Sequence, residues 1–423
     1  MGINLGKSIK INRLRANMTQ ADLANGIISV SYLSKIENGT AEPTNEIMQL
    51  LREKLNLYQA NLEDQITNQT IIKWFLHLLR SHKEEAIRLY DQINFALPNG
   101  IDKQLLSLID IHKLCYYVLV NNLESAGQLL ISLHKSSKKF NDIEKYYYYK
   151  FAGNYYYKHL AYKKSLAFYQ KAENLLNPEL FHQDEETHNL YYLIALAASK
   201  NRQTHLCLHY SNKALRFYQK NYQLKECAEC HILLGISYQR IRELENAKAS
   251  YSSAINIANK IDDREILKLS YQNIGSLFSD WKKPKEAITN YLESYELRKE
   301  DPVDIKIVPI SSLMKEYFEL KDLHNAKIWL ELGLDLTKSL SPLKSTYVYE
   351  FTAYNYLING LDSSFENLVN NEIIPFLEDK ELLYEKVFYL KLLAKYYKDN
   401  RKYKLSSSTY EEALNILSKI TCT

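Results

Sequence analysis

Between Leu5 and Leu57 the spacing of apolar and polar residues predicts five short helices. The first turns Ile9, Ile11 and Leu14 inward and Lys7, Lys10, Arg13 and Arg15 outward. Thr19 caps a second helix over 20–25, Ser29 caps a third over 30–38 that Gly39 stops, and Pro43 with Thr44 opens a fourth that ends at Leu55. The fifth reads as little more than a turn. Two short helices joined by a tight turn are the frame of a helix-turn-helix. Leu23, Ala24, Leu33 and Ile36 have the spacing that locks such a pair together, and Val30, Ser31, Tyr32 and Lys35 fall on the face left free.

Beyond Glu63 a longer period takes over. A position X is followed by an aromatic near X+3, a small residue at X+12, an aromatic or Leu near X+16 and another small residue at X+19. X falls at Trp74, Leu114, Gly153, Ala195, Gly235, Gly275, Met314, Ala353 and Ala394, with gaps of 39 to 42 residues. The clearest units are Gly153, Tyr156, Ser165, Tyr169, Ala172, then Gly235, Tyr238, Ala247, Tyr251, Ala254, then Gly275, Phe278, Ala287, Tyr291, Ser294. A period of this length marks a stacked array of helical hairpins, and the units resemble tetratricopeptide repeats, whose small residues let two helices approach while aromatics fill the gap. The unit at Ala353 fits poorly, with Phe365 and Glu372 at its small positions, and the one at Trp74 lacks the small residue at X.

Composition agrees. A chain of 423 residues with 46% apolar residues is too long for one ordinary compact domain, and only 11 Gly and 8 Pro argue against a turn-rich β fold. The fold class is therefore all-α: a helix-turn-helix domain followed by a right-handed superhelix of about nine repeats. A net charge of +4 excludes a protein that coats nucleic acid along its whole length, so DNA contact is expected to be local. The first domain carries seven Lys or Arg against five acids, a modest +2, and tight binding then needs a dimer. Five scattered Cys suggest no disulfide framework, and the absence of a long apolar run, a secretory leader or a myristoylation motif leads to the expectation of a cytoplasmic protein with no membrane partner.

The chemistry-bearing residues do not assemble into a catalytic signature. There is no Gly-rich phosphate loop, no nucleophile elbow and no paired metal motif, so neither an enzyme nor a cofactor is expected. His205, Cys207 and His209 with Cys227, Cys230 and His231 are the nearest approach to a zinc site, but a single C-x-x-C is weak and Cys207 occupies a small packing position. The 35 Tyr are explained by repeat packing, with two rings of the run Tyr146–Tyr149 turned inward. Repeat superhelices present a concave groove lined by the first helix of each pair, at positions near X−6, X−3, X−2, X+1 and X+4. Those positions nominate Lys150, Asn154, Tyr157, Asn189, Tyr192, Gln239, Gln272, Asn273 and Ser276 for contact with an extended peptide, whose backbone side-chain amides suit as both donors and acceptors.

The run Thr19-Gln20-Ala21-Asp22-Leu23-Ala24 and then Ser29 through Gly39 resembles the phage-repressor, or Xre, helix-turn-helix, with Ile28 standing where many relatives have a turn Gly. The resemblance implies that Gln20 and Asn38 hold phosphates while Val30, Ser31 and Lys35, with Tyr32 on the same face, meet the major groove. Taken with the nine repeats, the chain resembles the peptide-pheromone receptors of Gram-positive bacteria, the Rap, Rgg, NprR, PlcR and PrgX group, and most of all the NprR type. That resemblance implies residues 1–62 as a DNA-binding domain, 63–70 as linker and 71–423 as a domain for peptide sensing and oligomerisation. It further implies a quorum-sensing regulator of transcription whose partners are a double-stranded operator, a short re-imported signalling peptide and copies of itself as a homodimer or higher oligomer. Two alternatives stay open: a Rap-like protein that holds a response regulator of the sporulation phosphorelay, and a phage receptor of the arbitrium kind.

Overall fold

The computed structural model describes residues 9–10, 13–14, 18–38, 40–41, 43–55, 69–96, 103–176, 184–340 and 345–421. Among them every regular element is helical. Contacts divide the chain into two compact units after Asn122. The expected fifth helix and most of the expected linker fall outside the described residues.

In the first unit, residues 9–10 and 13–14 are helical, followed by α1 (Gln20–Ala24), α2 (Val30–Glu37) and α3 (Asn45–Lys54), then α4 (residues 69–79), α5 (Lys83–Ala96) and α6 (Lys103–Leu119). The caps are those the sequence suggests. Thr19 forms a reciprocal capping box with Asp22, Ser29 accepts from the Tyr32 N–H at 3.3 Å, and Thr44 accepts from the Ile47 N–H. Leu23, Ala24, Leu33 and Ile36 are buried in one core with Ile9, Met48, Leu51 and Leu55. The turn is carried by Gly26 at φ +81, so the left-handed residue lies two positions before Ile28 and the missing Gly there costs nothing. One expectation is corrected. Arg13 is buried and Leu14 is 58% exposed, the reverse of the assignment above, because residue 13 stands one helical turn beyond Ile9 and shares its inward face.

The second unit runs α7 (Leu123–Ser136), α8 (Asp142–Lys158), α9 (Tyr162–Glu173), α10 (Asp184–Lys200), α11 (Thr204–Lys220), α12 (Leu224–Arg240), α13 (Leu244–Ile261), α14 (Arg264–Asp280), α15 (Pro284–Glu296), α16 (Val303–Glu319), α17 (Leu323–Thr337), α18 (Ser345–Asn359), α19 (Ser363–Leu368), α20 (Ile374–Asp379), α21 (Leu383–Asp399) and α22 (Tyr403–Thr421). From α8 onward these pair as hairpins, with X in the first helix of each. The small residue at X does what the pattern requires: Gly153, Gly235 and Gly275 lie against the rings of Tyr169, Tyr251 and Tyr291 at X+16, and a Cβ on Gly275 would stand 2.6 Å from the Tyr291 ring. Tyr146 and Tyr148 are the two buried rings of the tyrosine run.

Each X unit, in both parts of the chain, shares a left-handed residue at X+7: Ser81, Asn121, Leu160, Arg202, Arg242, Lys282, Lys321, Gly360 and Arg401. In all but the unit at Ala353, the N–H at X+8 donates to the carbonyl at X+3, for example Gln203 to Ala198 at 2.9 Å. This is the helix-ending motif that reverses the chain into the second helix. The Ala353 unit departs for a visible reason. Phe365 is wholly buried where a small residue belongs, and between α19 and α20 the helix makes a π turn over Val369–Ile373, just before Pro375, which has no N–H to return to the preceding turn.

Candidate nucleic-acid interface and ligand groove

The second helix of the helix-turn-helix, α2, presents Val30, Ser31, Lys35 and the following Asn38 to solvent, with Tyr32 half-buried beside them. Its opposite side is fixed by a charge that the sequence pattern did not disclose. Glu37 is buried and takes two hydrogen bonds from the Arg13 guanidinium, at 2.7 and 3.0 Å, and a third from the Gln20 amide at 2.8 Å; Arg13 also donates to the Met18 carbonyl at 2.8 Å. Burial pushes the Glu37 carboxyl up, but the hydrogen bonds from Arg13 and Gln20 outweigh it, and the group is held below the usual carboxylate range. A buried carboxylate thus ties together the first helical residues, the start of α1 and the end of α2, and Gln20 spends one N–H on this network.

In the second unit a groove of about 1600 Å³ is enclosed by α8, α10, α12, α14 and α16, with contributions from the last helices. Of the nine residues nominated for it, Tyr157, Tyr192, Gln239, Gln272, Asn273 and Ser276 line it. Lys150, Asn154 and Asn189 do not. Lys150 is buried in an ion pair with Glu186 at 2.5 Å that joins α8 to the next hairpin, and Asn154 accepts from the Tyr169 hydroxyl at 2.7 Å within its own hairpin, so both serve packing. The lining amides are braced: Gln239 donates to Ser276 at 3.2 Å and Asp280 at 2.7 Å, Gln272 donates to Ser312 at 2.7 Å, and Asn273 donates to the Leu269 carbonyl, leaving its oxygen for the groove.

Sequence spacing overlooked the charged members. Glu229 lines the groove at X−6, a position the rule does cover, beside the Tyr192 hydroxyl. Arg202 and Arg242 come from the hairpin turns at X+7 and Arg240 from the end of α12 at X+5, all outside the rule, and they reach in through their length. Arg240 donates to the Ser199 carbonyl at 2.5 Å, and the Arg202 guanidinium lies 3.6 Å from the ring centre of Tyr384 on α21. As for the sulfur and histidine cluster, Cys207, Cys227 and Cys230 are buried; Cys207 packs 3.8 Å from the Ser211 hydroxyl, and burial pushes its thiol up.

Residues 9–58 match the helix-turn-helix family and residues 225–300 the tetratricopeptide repeat family. Over 403 residues, 93% of this chain and 98% of the relative, the sequence is 34% identical to the transcriptional activator NprA of Geobacillus stearothermophilus. The chain belongs to the NprA family of transcriptional activators. That agrees with the resemblance to the Rap, Rgg, NprR, PlcR and PrgX group, of the NprR type, drawn from the sequence. Two solved structures share the fold. NprR in complex with its cognate peptide NprX is 21% identical, with a TM-score of 0.67 over 83% of this chain and 99% of its own. A Rap protein complexed with competence and sporulation factor is 18% identical, with a TM-score of 0.74 over 84% of this chain and 99% of its own. Among the described residues no helix is long and apolar enough to cross a membrane.

Proposed function

We propose that the chain is a cytoplasmic, peptide-gated regulator of transcription that acts by binding and carries out no catalysis of its own. Residues 1–62 read a two-fold operator in double-stranded DNA, 63–70 serve as the link, and residues 71–423 take a short signalling peptide and carry the contacts of a homodimer or higher oligomer. The carrying observation is the groove of about 1600 Å³, edged by amides of which Gln272 keeps one N–H and Asn273 its oxygen for a peptide backbone. A peptide amide desolvated without a partner costs about 1–3 kcal/mol, so these side chains supply what a short ligand with few side chains needs. The exposed α2 face supports the DNA role: Val30, Ser31, Tyr32 and Lys35 meet base edges while Gln20 and Asn38 position the backbone.

Footprinting tests the division of labour. A chain starting at Glu63 is expected to lose operator protection altogether. Lys35→Ala is expected to relax preference at one base pair, and Gln20→Ala to weaken all sequences alike. Protection retained by the shortened chain would overturn the assignment. The likeness to the Rap fold favours one second reading, in which the peptide-free form holds a response regulator; a pull-down that succeeds equally with and without residues 1–62 would support it.

A further inference from the structure

Two opposite charges stand in the same groove with no ion-pair partner among the described residues. Glu229 and Arg240 both lie on α12, and Arg202 projects beside Arg240 from the preceding hairpin turn. Near Glu229, Lys225 is one turn away on the same helix but is paired with Asp263 at 3.4 Å, and Glu226 adds a like charge. Near Arg240, the contacts are the Ser199 carbonyl and a second guanidinium. Burial pushes the Glu229 carboxyl up to about 7, and burial with the neighbouring Arg202 brings the Arg240 guanidinium down to about 10. Each charge is thus held where the folded protein alone disfavours it. Both groups are half-buried, so a ligand of opposite charge in the groove can reach them and offset the cost of their partial desolvation.

The separation sets the ligand's dimensions. Eleven residues of helix, from 229 to 240, rise about 16 Å, which an extended peptide spans in about five residues. Resting on the peptide-receptor reading above, we infer that the groove selects a peptide carrying a cationic and an anionic group about five residues apart, the first seated on Glu229 and the second on Arg202 and Arg240. The cation is an amino terminus or a Lys or Arg side chain; the anion is a carboxyl terminus or an Asp or Glu side chain. The stacking of Arg202 on Tyr384 orients its guanidinium among the residues that line the groove.

The test is selection by the full chain from a pool of random heptapeptides, prepared with free termini and, separately, acetylated and amidated, with retained peptides read by mass spectrometry. Peptides with the two charges at that spacing are expected to be enriched on the order of 30-fold. Loss of enrichment on capping assigns the charges to the termini; persistence assigns them to side chains. Glu229→Gln is expected to abolish selection for the cation alone, and Arg202→Gln with Arg240→Gln selection for the anion alone. Peptides retained without that charge pattern, or with a pattern unchanged in both variants, would overturn the inference and leave the receptor reading standing. No peptide retained at all would overturn both.

Discussion

Glu229 shows how far a single side chain is removed from its usual behaviour by the place it occupies. Its carboxyl is pushed up to about 7 by burial, which outweighs the pull of Lys225 and the Tyr192 hydroxyl and is reinforced by Glu226 and Asp263. The unfolded chain releases that proton near 4.5, so between the two values the folded protein binds more protons than the unfolded one, and stability falls as pH rises through the window. The ligand-free chain is expected to melt progressively lower from about pH 5 to about pH 8. Glu229→Gln should flatten that fall, recovering about 1–3 kcal/mol at the upper end in a denaturant titration. A slope unchanged in the variant would show that another group carries it. Arg13 teaches the complementary lesson. Its position one turn beyond Ile9 was visible in the sequence, but a basic residue on a short helix reads as solvated until its partner Glu37, 24 residues on, is seen buried beside it.

At the scale of the element, the hairpin is decided by X and X+16. Gly235 touches the Tyr251 ring, and that ring is held in turn by a 3.0 Å hydrogen bond from its hydroxyl to Gln239, so it has little freedom to retreat. Gly235→Ala is accordingly expected to destabilise the fold by about 1–3 kcal/mol, despite the better helix propensity of Ala. Adding Tyr251→Leu should recover part of the loss, and thermal unfolding of the single and double variants distinguishes this clash from a general intolerance of the site. The spacing of small and aromatic residues made the hairpins legible. Their turns were not legible in the same way. Leu160, Arg202 and Arg242 hold left-handed backbone although nothing in their side chains favours it; the closing of two packed helices imposes the conformation and Gly appears only at 360.

At the scale of the molecule, each hairpin of a repeat array ordinarily touches only its neighbours, and long-range contacts therefore carry unusual weight. The stacking of Arg202 on Tyr384 is such a contact, tying the turn after α10 to α21 across the groove. An exposed cation–π pair contributes about 0.5–1 kcal/mol, too little to hold the fold but enough to couple its ends. Tyr384→Ala is expected to leave helix content unchanged while broadening the unfolding transition, as the last hairpins melt before the central ones. A transition as sharp as the parent's would show that the stack cooperates without the clasp.

What the sequence by itself determined was the pattern of caps and packing positions, and not the turns between helices. The caps at Thr19, Ser29 and Thr44, the register of X and the class of the fold follow from side-chain size and polarity repeating along one helix or one hairpin. The tertiary structure alone decided which polar groups meet. Lys150 and Asn154 have the right spacing for the groove but are claimed by Glu186 and Tyr169, while Arg202 and Arg240 have the wrong spacing and enter it. The reason is that burial and charge pairing depend on distances between helices, and long side chains at hairpin turns reach across a gap that no periodicity within a helix records.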